Sequence, residues 1–252
     1  MEKFMKTGLT SVTFRKLSAD EIISIAVEAG IDGIEWGSDV HVPAGDASLA
    51  REIAEKTSNA GLSVLSYGSY FFLGAGMDFA PYIESCKALG ADVIRVWGGK
   101  KERWEMTEEE YAEFVSETRK IGEMAAKAGI TVAFEYHGRS ITATADDAVA
   151  LIRDVNLPSV RLYWQTVIGM SYEDNLRDLK KVLPYLVNAH AFRYVDGKQQ
   201  LIGDMGGLEE WKSYAEEIKH QHPDAALIIE FCKDSSRESF LADARTLREA
   251  AL

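Results

Sequence analysis

Cysteine, proline and histidine are scarce in this chain: two, five and five in 252 residues. Cys86 and Cys232 are too few and too far apart for a disulfide framework, which suits a reducing compartment. Positive charge is also short. Lys and Arg total 28 against 40 Asp and Glu, a formal charge of -12. That balance argues against a nucleic-acid partner, whose backbone demands an excess of Lys and Arg. No apolar run approaches a membrane span, and the start, Met-Glu-Lys-Phe-Met-Lys, lacks the continuous apolar stretch of a signal peptide. A cytoplasmic location, away from any membrane, is the resulting expectation. Neither G-x-G-x-x-G nor G-x-x-x-x-G-K occurs, so the phosphate loop of a doubly wound nucleotide-binding sheet is missing. Pro-rich, Ser-rich and low-complexity linkers are missing too, which leaves one domain over 1–252.

What is present is a repeated phrase. Glu-Ala-Gly30-Ile-Asp-Gly-Ile-Glu-Trp, Asn-Ala-Gly61-Leu-Ser-Val-Leu-Ser-Tyr, Ala-Leu-Gly90-Ala-Asp-Val-Ile-Arg-Val-Trp and Lys-Ala-Gly129-Ile-Thr-Val-Ala-Phe-Glu-Tyr each close a helix on glycine and pass at once into a β-branched or aromatic run. Helix starts are marked by Ser18…Glu21, Thr107…Glu110 and Thr144…Asp147, a capping hydroxyl three residues before an acid. Apolar residues then recur near a period of 3.6, as in Ile22, Ile25, Ala26 and Ala29. The pattern predicts strands near 8–14, 31–36, 62–67, 92–97, 130–135, 160–165, 186–192 and 226–231. It predicts helices over 18–29, 46–60, 78–90, 107–128, 144–154, 172–183, 208–220 and 236–250. Eight alternating βα units in a chain of this length predict an α/β fold, a (β/α)8 TIM barrel.

Four of those strands end in a polar residue: Thr-Val-Ala-Phe-Glu135, Arg-Leu-Tyr-Trp-Gln165, Val-Asn-Ala-His190 and Leu-Ile-Ile-Glu230. The active site of such a barrel lies at the C-terminal ends of its strands. Strand side chains alternate with period two. An inward Glu135 therefore takes Ala133 and His137 with it and sends Phe134 and Tyr136 to the helices; the same parity groups Ile228, Glu230 and Cys232. Adjacent strands lie about 5 Å apart, so one ion can bridge all four. Two carboxylates, an amide oxygen and an imidazole suit a divalent cation of octahedral leaning. Any one of these residues alone reads as a solvated loop residue or a core histidine. Four in register on successive strands is the informative feature.

The chain also resembles the xylose isomerase-like TIM-barrel superfamily of sugar isomerases and epimerases, which includes inosose dehydratases and an apurinic endonuclease branch. The resemblance runs end to end and is carried by Ser11-Val-Thr-Phe-Arg15, Asp32-Gly-Ile-Glu-Trp-Gly37, Ile94-Arg-Val-Trp-Gly98, Phe134-Glu-Tyr-His137, Tyr163-Trp-Gln165, Asn188-Ala-His190 and Ile229-Glu-Phe231. It implies that Glu135, Gln165, His190 and Glu230 bind a divalent metal, Mn2+ or Mg2+ before Co2+ or Zn2+, and that Glu135 and Glu230 form the catalytic acid/base pair. The family's strand-six aspartate is Gln165 here, and Ile168 stands where a histidine is common. The implied activity is isomerisation or epimerisation of a small carbohydrate or polyol derivative through a metal-stabilised enediolate. Dehydration of a keto-sugar or keto-inositol and sugar binding without catalysis are the alternatives. Five histidines are too few for the endonuclease branch's trinuclear zinc site. A homo-oligomer is compatible with all of this.

Substrate contacts are expected from residues near the same strand ends. Trp36 and Trp97 end strands two and four, where flat indoles suit the apolar faces of sugar rings; Arg95 shares the parity of Trp97. His41 lies just beyond strand two and His137 two residues past Glu135, each able to bond a hydroxyl or relay a proton. Arg193 and Lys233 follow strands seven and eight and can meet an anionic group. Glu35 reads as a residue behind the ligands, and Cys232 as small and buried rather than nucleophilic.

Overall fold

A computed structural model describes residues 4–252; residues 1–3 of the expected domain lie outside the described residues. Seven parallel strands run in succession: β1 (Lys6–Thr10), β2 (Gly33–Gly37), β3 (Ser63–Phe72), β4 (Val93–Trp97), β5 (Thr131–Phe134), β6 (Val160–Trp164) and β7 (Leu186–Ala191). A small antiparallel hairpin, β8 (Tyr194–Val195) and β9 (Lys198–Gln199), precedes the eighth barrel strand, β10 (Ala226–Ile229). β10 pairs with both β7 and β1, and β1 pairs with β2, so the sheet closes. The helices α1 (Ala19–Ala29), α2 (Ala47–Asn59), α3 (Ala80–Leu89), α4 (Glu108–Lys127), α5 (Ala145–Val155), α6 (Tyr172–Val182), α7 (Gly207–Gln221) and α8 (Arg237–Ala250) alternate with the barrel strands and surround them. Among the described residues, no helix is long and apolar enough to cross a membrane.

The helix boundaries follow from local chemistry. Ser18 and Thr107 form full capping boxes with Glu21 and Glu110, and Thr144 caps α5 through the Asp147 N–H. Gly30 ends α1 at φ 66°, a left-handed conformation that costs glycine least. The strands bury both faces, as a sheet covered by helices must. Leu65, Val93, Ala133, Tyr163, Ala226 and Ile228 pack inside the barrel, while Trp36, Phe134, Trp164 and Leu227 join the larger core between sheet and helices.

Several expected strands differ in extent. β1 stops at Thr10, and Ser11–Phe14 is a 3-10 turn rather than the end of a strand over 8–14. The hydroxyls of this segment take the backbone partners a ladder would have used: Ser11 Oγ accepts from the Gly37 N–H at 2.8 Å, and Thr13 Oγ1 from the Phe231 N–H at 2.9 Å. β3 runs on to Phe72, past the expected 67, because after a register shift it pairs Phe72 with Trp97. β5, β6 and β10 each stop one residue before Glu135, Gln165 and Glu230. These side chains therefore stand on the rim, where the chain leaves the ladder.

Candidate metal centre and active site

The strand parity brings the expected ligands into the barrel mouth. Ala133 and Ile228 lie in the interior cluster, directly below Glu135 and Glu230 in alternation. On the other face, the Tyr136 hydroxyl donates to Asp178 of α6. His190 sits on β7, two residues after Asn188, whose side-chain amide donates to the Tyr163 hydroxyl at 2.8 Å. The Tyr163 ring packs edge-on against the His190 ring, centroids 5.1 Å apart. Glu135, His190 and Glu230 are buried, and one ligand atom from each lies within 4.8 Å of the others.

His190 is oriented from behind. Its Nε2 lies 3.2 Å from Glu35 Oε1; a carboxylate accepts, so this nitrogen carries the proton. In the neutral ring, the form that can bind a cation, Nδ1 is then the lone-pair nitrogen. It lies 3.3 Å from Glu230 Oε2, off the line of a hydrogen bond, and has no hydrogen-bond partner. Gln165 Oε1 is likewise buried without a partner. Orphaned acceptors in a buried site are costly, because each has lost water and gained nothing in exchange. An imidazole nitrogen, an amide oxygen and two carboxylates, with a second carboxylate behind the imidazole, fit a divalent cation. Glu135, Gln165, His190 and Glu230 are the residues able to hold it.

Glu35 stands behind His190, in the place its reading as a residue behind the ligands expects. It points inward from β2, fully buried, and accepts from Ser66 Oγ at 2.7 Å and from Arg95 Nε at 3.0 Å. The same guanidinium donates from Nη1 to Glu135 Oε2. Arg95 is 1% exposed and thus lies inside the carboxylate cluster, not on a substrate-facing rim. The signal was available: in Ile34-Glu35-Trp36 a charged residue alternates with two bulky apolar ones, and it shares the parity of the cramped Gly33.

The electrostatics report a shortage of positive charge. Burial depresses His190, but the Glu230 and Glu35 carboxylates overcome it and raise the imidazole to about 10. Burial pushes the Glu135 carboxyl up, the nearby Glu230 charge adds to this, and Arg95 opposes it without prevailing. For Glu35 the order reverses: burial raises it, yet Arg95 and His190 together hold it far below the usual carboxylate range. Glu230 is also held down against burial, chiefly by His190. Two groups thus stand ready to take up protons, as expected of a cluster whose negative charge lacks a partner.

The remaining expected contacts divide. Trp97 shares the inward parity of Arg95 and forms an aromatic wall at the mouth, stacked on Phe72 at 5.3 Å and tilted against His137 at 4.8 Å. His137 Nδ1 lies 2.7 Å from the Gly138 carbonyl, which assigns the proton to Nδ1 and leaves Nε2 as the basic nitrogen. Tyr70, unnoticed in the sequence, extends the wall and accepts from Arg15, which also pairs with Asp39. By contrast, Trp36 faces outward and donates to Thr57 of α2 at 3.2 Å, so its indole is core rather than a sugar platform. Both nitrogens of His41 are engaged, with Ser11 Oγ and the Leu17 carbonyl, each at 3.0 Å, and burial holds its pKa down. It ties the β2 loop to the β1 turn and is not presented to a substrate. Arg193 is clasped by Glu210 of α7 at 2.6 and 3.2 Å, a structural pair. Lys233 reaches Gln200 at 3.5 Å. Cys232 is buried and free, its thiol pushed up to about 12 by burial.

Comparison with known proteins places this architecture. Residues 23–250 match the family described as xylose isomerase-like TIM barrel. A 3-dehydroshikimate dehydratase of Bacillus anthracis is 24% identical over 204 residues, covering 74% of this chain and 71% of that protein. A xylose isomerase-like TIM barrel protein from Mycobacterium smegmatis, solved in complex with magnesium, superposes with a TM-score of 0.76 at 14% identity, covering 98% of this chain and 96% of the other. D-psicose 3-epimerase from Clostridium cellulolyticum superposes with a TM-score of 0.70 at 13% identity, over 98% and 96% of the two chains. The match to nearly the whole barrel settles the kinship: this chain belongs to the xylose isomerase-like TIM barrel family.

Proposed function

We propose that this protein is a divalent-cation-dependent isomerase or epimerase of a small polyhydroxylated carbonyl compound, a ketose or a polyol derivative. The observation that carries the reading is the buried Glu135–His190–Glu230 cluster with an orphaned imidazole nitrogen at its centre. A bound cation, Mn2+ or Mg2+ before Co2+ or Zn2+, would polarise the substrate carbonyl. Glu135, Gln165, His190 and Glu230 would hold it. Moving a proton at the carbon beside that carbonyl needs a carboxylate on the reacting face, and an epimerase needs one on each face. Glu230 and Glu135 would do those two jobs. Trp97 would cover the apolar face of the substrate, and His137 Nε2 would meet a hydroxyl.

Dehydration is the second reading, favoured by the 24% identity to a 3-dehydroshikimate dehydratase. The Arg95 clamp on Glu135 also favours it, because a carboxylate held by a guanidinium is less free to shuttle a proton, and elimination needs only one base. Incubating the Mn2+-loaded protein in D2O with D-psicose, L-ribulose and 3-dehydroshikimate, followed by NMR, separates the readings. Deuterium entering beside the carbonyl without loss of water supports isomerisation; an unsaturated product supports the lyase. If Mn2+ binds and no substrate of either class exchanges or loses water, the barrel is a binding protein and the catalytic reading is wrong.

A further inference from the structure

The buried charges at the barrel mouth form a set that can be counted. Once a bound cation has displaced their protons, Glu35, Glu135 and Glu230 carry three negative charges against one positive charge on Arg95, and all four side chains are at most 10% exposed. With His190 neutral, two negative charges remain uncompensated, which is the charge of one divalent cation. An aspartate at position 165 would leave a third. The neutral Gln165 is therefore the residue that closes the balance.

Arg95 is what makes the balance possible. Its fork spans Glu35 and Glu135 at once, through Nε and Nη1, a geometry that lysine lacks. Glu35 in turn holds His190 Nε2, so a single guanidinium orients two of the four expected ligands. The barrel makes room for it: a Cβ on Gly68 would lie 2.9 Å from both Arg95 Nη2 and Glu35 Oε1. We propose that Arg95 is a positioning residue that sets the charge of the cation site, cancelling Glu35 and clamping Glu135, and that Gln165 is the ligand matched to it rather than a lost aspartate. The inference rests on the reading of Glu135, Gln165, His190 and Glu230 as a cation site. Its chemical consequence is a centre that is electrically neutral when loaded, and so receptive to negative charge developing on a substrate oxygen.

Mn2+ binding to the full chain, measured by electron paramagnetic resonance titration, tests both levels. Glu230→Gln tests the site itself: wild type should bind one Mn2+ and the variant at least roughly a hundredfold more weakly. Wild type without Mn2+, or a variant unaffected, would overturn the site reading and with it the inference. Arg95→Met and Glu35→Gln test the charge role, and the glutamine keeps an acceptor for His190. Removing the positive charge should tighten Mn2+ roughly tenfold, removing the negative charge should weaken it roughly tenfold, and the double variant should return close to wild type. A merely structural Arg95 would instead have both single variants weaken binding, with the double no better. That outcome, with the wild-type site intact, overturns the proposal alone. Should Arg95→Met fail to fold, the rise in affinity from Glu35→Gln to the double variant reads the same charge, and its absence overturns the proposal equally.

Discussion

Asp243 on α8 shows how a single carboxylate outside the candidate cation site shapes the loop it meets. Its Oδ1 accepts from the Ile202 N–H at 2.6 Å, tying the segment that follows the β8–β9 hairpin to the last helix. Burial, reinforced by Asp204 and opposed by that hydrogen bond, raises its pKa to about 7. Between the unfolded value near 4 and about 7, the folded protein keeps a proton that the unfolded chain has released, so stability falls as pH rises across that window and stays lower above it. Asp243→Asn keeps the acceptor and removes the titration. Its stability relative to wild type should therefore grow by roughly 1–3 kcal/mol between pH 4.5 and pH 8, read by urea unfolding. A constant difference across that range would show that Asp243 titrates normally. Sequence inspection could not find this residue, because the burial of Asp243 depends on a loop some forty positions earlier in the chain. The strand-end residues were different: period-two alternation alone grouped Glu135 with Ala133 and separated it from Tyr136, which in the structure reaches Asp178.

At the level of elements, the glycines of the first two strands decide how tightly the barrel closes. A Cβ on Gly33 would stand 2.3 Å from the Ser63 carbonyl oxygen, a backbone atom of the neighbouring strand that cannot rotate away. Gly33→Ala must therefore spread β2 from β3 and should cost about 3 kcal/mol or more, or abolish folding. Gly61→Ala is the control. Nothing lies within 4 Å of its Cβ position, and only its φ of +78° is unfavourable, so it should cost about 1–2 kcal/mol in the same thermal melts. Equal losses in the two variants would rule out strand crowding as the cause. Capping boxes and closing glycines made the helices legible to within a residue or two. The strand ends were less so: the Ser11–Phe14 turn and the extension of β3 to Phe72 depend on partners in other strands.

For the whole molecule, the barrel is a cage whose rim gathers like charges, and its stability should respond to a cation bound among them. A ligand bound only by the folded state stabilises it by about 2.7 kcal/mol at a hundred times its dissociation constant. For a domain of this size that corresponds to a rise in Tm of roughly 5–10 °C on adding Mn2+. The rise should be reversed by EDTA and absent in Glu230→Gln, by scanning calorimetry. An identical Tm with and without Mn2+ would mean that the cluster does not take up the ion. By itself, the sequence determined the α/β alternation, the closed barrel and the period-two grouping of the strand-end side chains, because capping chemistry, closing glycines and hydrophobic period are local properties written in consecutive residues. Only the tertiary structure decided that Arg95 lies inside the cluster and bridges Glu35 to Glu135, that Trp36 and His41 serve the core, and that Arg193 pairs with Glu210. Those outcomes turn on which side chains meet across the barrel, and electrostatic partnership acts through space between residues far apart in the chain.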